Sequence, residues 1–113
     1  MTLENNKINN NLTELYKKYG QFPEDYDIDY YKEYGKYLKD MVLHRIERDV
    51  IGNRSFSFYH NNMMKMDEKL CDILIRIGMM GTGEEFYYSY EKLMEIANDF
   101  IDGKEVDLSY ETK

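Results

Sequence analysis

Apolar side chains recur at helical spacing along most of this chain. Leu12, Leu15, Tyr16 and Tyr19 form the first such group, with Asn11 and Glu14 placed as a capping box and Gly20 as a stop. Pro23 then interrupts the pattern, and Glu24, Asp25, Asp27 and Asp29 precede a longer one. Carboxylates there suit the positive end of a helix dipole. The next pattern predicts a helix from about Tyr30 to Val50, ending before Gly52. Its first half places Tyr30, Tyr34, Tyr37, Leu38 and Met41 on one stripe, and its second places Leu43, Ile46 and Val50 on another rotated from it, so the two halves face different neighbours. Gly35 lies inside this helix, where it costs about 1 kcal/mol relative to Ala and either permits close packing or is merely tolerated.

The segment Arg54–His60 fits two periods. Phe56 and Phe58 alternate as in a strand, whereas Phe56, Tyr59 and Met63 fit a helix, which is the preferred reading. From Met66, the stripe Met66, Leu70, Ile73, Leu74 and Ile77 predicts a buried helix ending near Gly78 or Gly81. A last helix is expected after a Thr82/Glu85 capping box, with Phe86, Tyr90, Leu93, Ala97, Phe100 and Ile101 as its apolar face and Gly103 as a left-handed cap. Val106, Leu108 and Tyr110 then alternate with polar residues, as in an edge strand or an extended tail. The expected fold is all-α: a compact four-helix, largely antiparallel arrangement in one domain over residues 1–113, with 1–10 and 109–113 frayed.

Length and composition agree with this picture. The chain has 113 residues, 42% of them hydrophobic and 33% charged, with a single proline, which suits one folded, soluble domain. The longest stretch without formal charge, Ser55–Met64, is far short of the roughly 20 residues that span a bilayer. No membrane partner is expected, and the N-terminus has no basic start followed by an apolar run, so the expected location is the cytoplasm. Cys71 is the one cysteine, expected as a small buried hydrophobe.

Charge changes the picture further. The net charge is −7, and residues 81–113 hold nine acids against three bases. A helical wheel places Glu84, Glu91, Glu95, Asp99 and Asp102 within about 80° of one another, opposite the apolar face. Like charges four residues apart destabilise a helix by about 0.2–0.5 kcal/mol per pair, so the row has a small cost, consistent either with a functional face or with an ordinary solvated face of an acidic protein. Asp25, Asp27 and Asp29 are candidates to extend it. The same wheel puts Tyr88 among the carboxylates, exposed, where its ring would stack on an incoming arginine. Tyr31 and Tyr87 are further candidates for contact, and Tyr34, Tyr37 and Tyr90 for the core.

Catalytic chemistry has no foothold in the pattern. His44 and His60 lack Cys or acidic partners at ligand spacing, so no metal or other cofactor is expected. Gly78, Gly81 and Gly83 are not followed by the Lys-Ser/Thr of a phosphate loop, and Glu84–Glu85 would repel phosphate. A net-negative chain also repels nucleic acid unless a basic patch overcomes the field, which makes a cationic protein surface the natural partner. In size, acidity and lack of catalytic motifs the chain is similar to inhibitor proteins that bacteriophages and mobile elements encode against host nucleic-acid enzymes, including anti-CRISPR and anti-restriction DNA mimics. That resemblance implies a non-enzymatic protein that occupies a basic nucleic-acid channel. Two alternatives are a helical adaptor or transcription-linked regulator, homodimeric through Tyr and Met surfaces, and a nucleic-acid binder using Lys32, Lys36, Lys39, Arg45 and Arg48.

Overall fold

The computed structural model describes residues 28–110. The expected helix at 12–19, and Asp25 and Asp27, lie outside the described residues. Among the described residues the fold is all-α, as expected: α1 (Tyr30–Leu43), α2 (Arg48–Asn62), α3 (Glu68–Gly78) and α4 (Tyr90–Ile101), with two short 3₁₀ turns between α3 and α4 and no strand.

The long helix expected over 30–50 is two helices. Its break follows from Arg45, which adopts a left-handed conformation with φ of 52°. The N–H of Ile46 returns to the Met41 carbonyl and that of Arg45 to the Val42 carbonyl, both at 3.0 Å, which closes a left-handed C-cap. Glycine usually takes that position, so the stop is invisible in composition. Gly52, expected to end the helix, sits inside α2. A Cβ there would lie 2.5 Å from the Gly81 backbone nitrogen, so the missing side chain lets α2 approach the turn after α3. Residues 54–60 are helical within α2, and their buried stripe of Ile51, Ser55, Phe58 and Asn62 explains the ambiguous period: half of it is polar.

Helix α1 packs on α4 and α2 packs on α3. At the first contact Gly35 meets Phe100 and the Ala97 carbonyl, where a Cβ would come within 2.7 Å of Phe100 Cβ, as expected of a close-packing glycine. The pairs are joined by an aromatic cluster: the Tyr34 ring meets Phe58 edge-on at 5.2 Å and Phe100 at 5.4 Å. The Tyr34 hydroxyl lies 2.6 Å from Ser55 Oγ, which donates to the Ile51 carbonyl. Helix α3 matches its expected stripe, with Leu70, Ile73, Leu74 and Ile77 buried and Asp67 capping it through the Leu70 N–H at 2.8 Å.

The start of α4 differs from expectation. Ser89 caps it, accepting from the Lys92 N–H at 3.0 Å, while the Thr82 hydroxyl donates to the Met79 carbonyl and closes the preceding turn. The Thr82/Glu85 capping box is not the helix start. Gly103 does take the expected left-handed cap, at φ of 71°. Beyond it, residues 104–110 form an extended tail without strand pairing, with Val106 and Leu108 packed against the core. Cys71 is half-buried, not buried. Desolvation, then Asp67, Asp72 and Glu68, push its thiol pKa up, which keeps it protonated and a poor nucleophile.

Candidate protein-docking face

Helix α4 carries the acidic row because its inner face is committed to the core: Leu93, Ile96, Ala97 and Phe100 are buried, which turns the positions between them outward. Glu91, Glu95 and Asp102 are exposed, and Asp99 is half-buried. Steps of four residues place Glu91, Glu95 and Asp99 about 6 Å apart along the axis. Of the four, Glu95 has an intramolecular cation, Lys92 Nζ at 3.1 Å, and the others form no ion pair among the described residues.

Three expected members stand elsewhere. Glu84 is exposed but lies in a 3₁₀ turn ahead of α4, not on its face. Asp29 is exposed and lies ahead of α1, where its carboxylate caps that helix through the Lys32 N–H at 3.2 Å, and it lines one concavity with Phe100, Ile101 and Gly103 at the C-terminal end of α4. Tyr88 is not exposed among the acids: it is 1% accessible. The wheel fails there because Tyr88 precedes the cap residue Ser89, and the extended backbone turns its ring inward. Its hydroxyl donates to the Leu108 carbonyl at 2.7 Å.

One acid that sequence spacing does not reveal joins the face. The Lys92 side chain is only 10% exposed and lies between Glu95 and Asp107, whose carboxylate is 3.8 Å away. The Ser109 N–H and hydroxyl, and then Lys92, hold the Asp107 carboxyl below its usual range. The cluster of two carboxylates on one ammonium keeps a net negative charge. Asp107 arrives through the tail, so its destination was not visible in sequence.

Three of the five basic residues singled out in the sequence have partners within the chain. Arg48 lies over the Tyr87 ring at 4.8 Å and the Tyr90 ring at 5.2 Å, and Arg45 lies over Tyr90 at 4.9 Å. Lys36 binds the buried Glu33 at 3.2 Å. Tyr34 and Tyr37 are buried as expected, while Tyr90 is half-buried with its hydroxyl donating to the Ile46 carbonyl. Tyr31 is half-buried and donates to both Asp67 oxygens at 2.8 and 2.9 Å. Among the described residues no group of three or more His, Cys, Asp or Glu could hold a metal ion, and no helix is long and apolar enough to cross a membrane.

The buried tyrosine has a measurable signature. Burial first, then its neighbour Tyr110, push the Tyr88 pKa from 10.0 up to about 12. The folded chain therefore holds a phenol proton that the unfolded chain releases near pH 10. Stability from this group is complete below pH 10 and is lost as pH rises toward 12. The melting temperature should decline over that window, and Tyr88→Phe should make the decline shallower; an unchanged slope would contradict the assignment. Compared with protein-family models, curated proteins and solved structures, the chain shows no significant match.

Proposed function

We propose that this protein is a non-catalytic binding protein whose acidic α4 face docks on the basic surface of a nucleic-acid-binding protein or enzyme and competes there with nucleic acid. The observation that carries this reading is the row Glu91, Glu95, Asp99 and Asp102 on one helix, three of the four without an intramolecular cation among the described residues. Over the eleven residue steps from Glu91 to Asp102 the row offers one charge per roughly 5.5 Å. A single strand of duplex DNA offers one per about 3.4 Å. The spacing is thus of the same order but more dilute, which suits a subset of the cationic side chains in a phosphate-binding groove. Asp107, through Lys92, widens the face on one side.

Self-association through Tyr and Met surfaces is less favoured. Leu43, 63% exposed, ends α1, and Met64, 88% exposed, follows α2, so the fifteen residues of α2, about 22 Å of helix, come between them in the chain.

The test is direct. Partners captured on the immobilised chain from nuclease-treated lysate, and identified by mass spectrometry, should include a nucleic-acid-binding protein that duplex DNA displaces. Reversing Glu91, Asp99 and Asp102 to Lys should weaken that capture at least about tenfold while leaving circular dichroism unchanged, and binding of the unaltered chain should weaken as salt rises. Equal affinity of the reversed variant, or partners indifferent to DNA, would refute the reading.

A further inference from the structure

The tail after Gly103 is held in an unusual way. Residues 105–110 make no backbone–backbone hydrogen bond among the described residues, and side chains do the holding. Glu105 lies 3.7 Å from Lys69 Nζ of α3, and Asp107 lies 3.8 Å from Lys92 Nζ of α4. The Tyr110 ring stacks on Tyr88 at 4.6 Å, with 6° between the planes, and the Arg76 guanidinium stands 5.8 Å over Tyr110. Beneath the tail, then, is a surface with three cations and an aromatic platform, and on it rests a segment with two carboxylates and an aromatic ring.

We infer that this surface of α3 and α4 is a peptide-binding seat for an extended acidic–aromatic segment of a partner protein, a carboxylate three residues before an aromatic ring, and that the chain's own tail is its resident competitor. Charge complementarity and the ring platform define the occupant, because the tail itself displays the fit. Exchange is feasible for two reasons. Solvent-exposed ion pairs such as Glu105–Lys69 contribute little. Gly103, at φ of 71° with nothing within 4 Å of a Cβ position, is a cap residue where the chain can change direction without a side-chain clash. The Tyr88 hydroxyl accepts any extended backbone as partner, since it donates to a main-chain carbonyl and not to a side chain. The seat shares Asp107 and Lys92 with the acidic face, but it also rests on Lys69, Arg76 and Tyr88. Release of the tail would remove Asp107 from that face while leaving Glu91, Glu95, Asp99 and Asp102 in place.

A capped Glu-Val-Asp-Leu-Ser-Tyr peptide, the sequence of residues 105–110, is the probe. On the full chain carrying Asp107→Asn and Tyr110→Ala it should bind at least about tenfold more tightly than on the unaltered chain, where the tethered tail competes at high effective concentration. Adding Lys92→Met should abolish that gain. A second measurement needs no variant: tryptic cleavage after Lys104 of the unaltered chain should accelerate as the peptide is added, and a scrambled peptide should have no effect. Failure of the peptide to bind the folded, tail-weakened variant, or a cleavage rate indifferent to it, would overturn the inference.

Discussion

Phe58→Ala is expected to destabilise the fold by about 3–5 kcal/mol, the usual range for deleting a fully buried aromatic ring. Phe58 has no exposed surface, and its ring is the meeting point of the two helix pairs: Tyr34 approaches it edge-on at 5.2 Å and Tyr37 stacks on it at 6.1 Å. Removal leaves a cavity between α1 and α2 that two tyrosines border, and their hydroxyls limit how far the site can collapse. Since small domains are stable by about 5–15 kcal/mol, the loss is a large share of the whole. Urea denaturation of the variant should show a lower midpoint. A shift worth under about 1 kcal/mol would mean that the ring is not at the junction.

Gly52→Ala should also destabilise, against the trend of helix propensity. In an open helix the change would stabilise by about 1 kcal/mol. Here the added carbon would lie 2.5 Å from the Gly81 nitrogen and 3.0 Å from the Met80 carbonyl carbon, both backbone atoms that cannot rotate away. Overpacking of this kind costs about 1–3 kcal/mol, so the net sign should be unfavourable and α2 should be pushed from the turn after α3. Gly103→Ala is a useful contrast, because its difficulty is a positive φ and not a neighbour. Thermal melts of the two variants check this; a rise in melting temperature for Gly52→Ala would contradict the close approach.

These glycines show what was and was not legible in the sequence. The stripe Leu70, Ile73, Leu74 and Ile77 declared α3 because every position facing the core is aliphatic, while its cap, Asp67, emerged only in the structure. The α1 stripe was legible from the helical spacing of Tyr34, Tyr37, Leu38 and Met41, whereas the role of Gly35 was decided only by its contact with Phe100. The boundary between α1 and α2 was not, since the left-handed residue is Arg45, whose side chain gives no hint of a stop, while Gly52 resembles one and serves close packing instead. The acidic row survived because it lies inside a helix whose phase the apolar residues set. Tyr88 was misplaced by carrying that phase one residue too far, past Ser89, which was itself the cap. Asp107 was out of reach of any periodicity, because its neighbour Lys92 is brought to it only by the return of the tail.

The hydroxyl pair in the core has a consequence for specificity. Ser55 has one proton and gives it to the Ile51 carbonyl at 2.8 Å, so across the 2.6 Å contact Tyr34 must be the donor. An aliphatic interface tolerates sliding by a residue with modest loss; this one does not. Any slip of α1 along α2 would break the Tyr34–Ser55 bond, at a cost of about 1–3 kcal/mol, while Ser55 keeps its bond to Ile51 within α2. The pair therefore acts as a detent: it selects one alignment of the two helices from the several that oily side chains alone would permit.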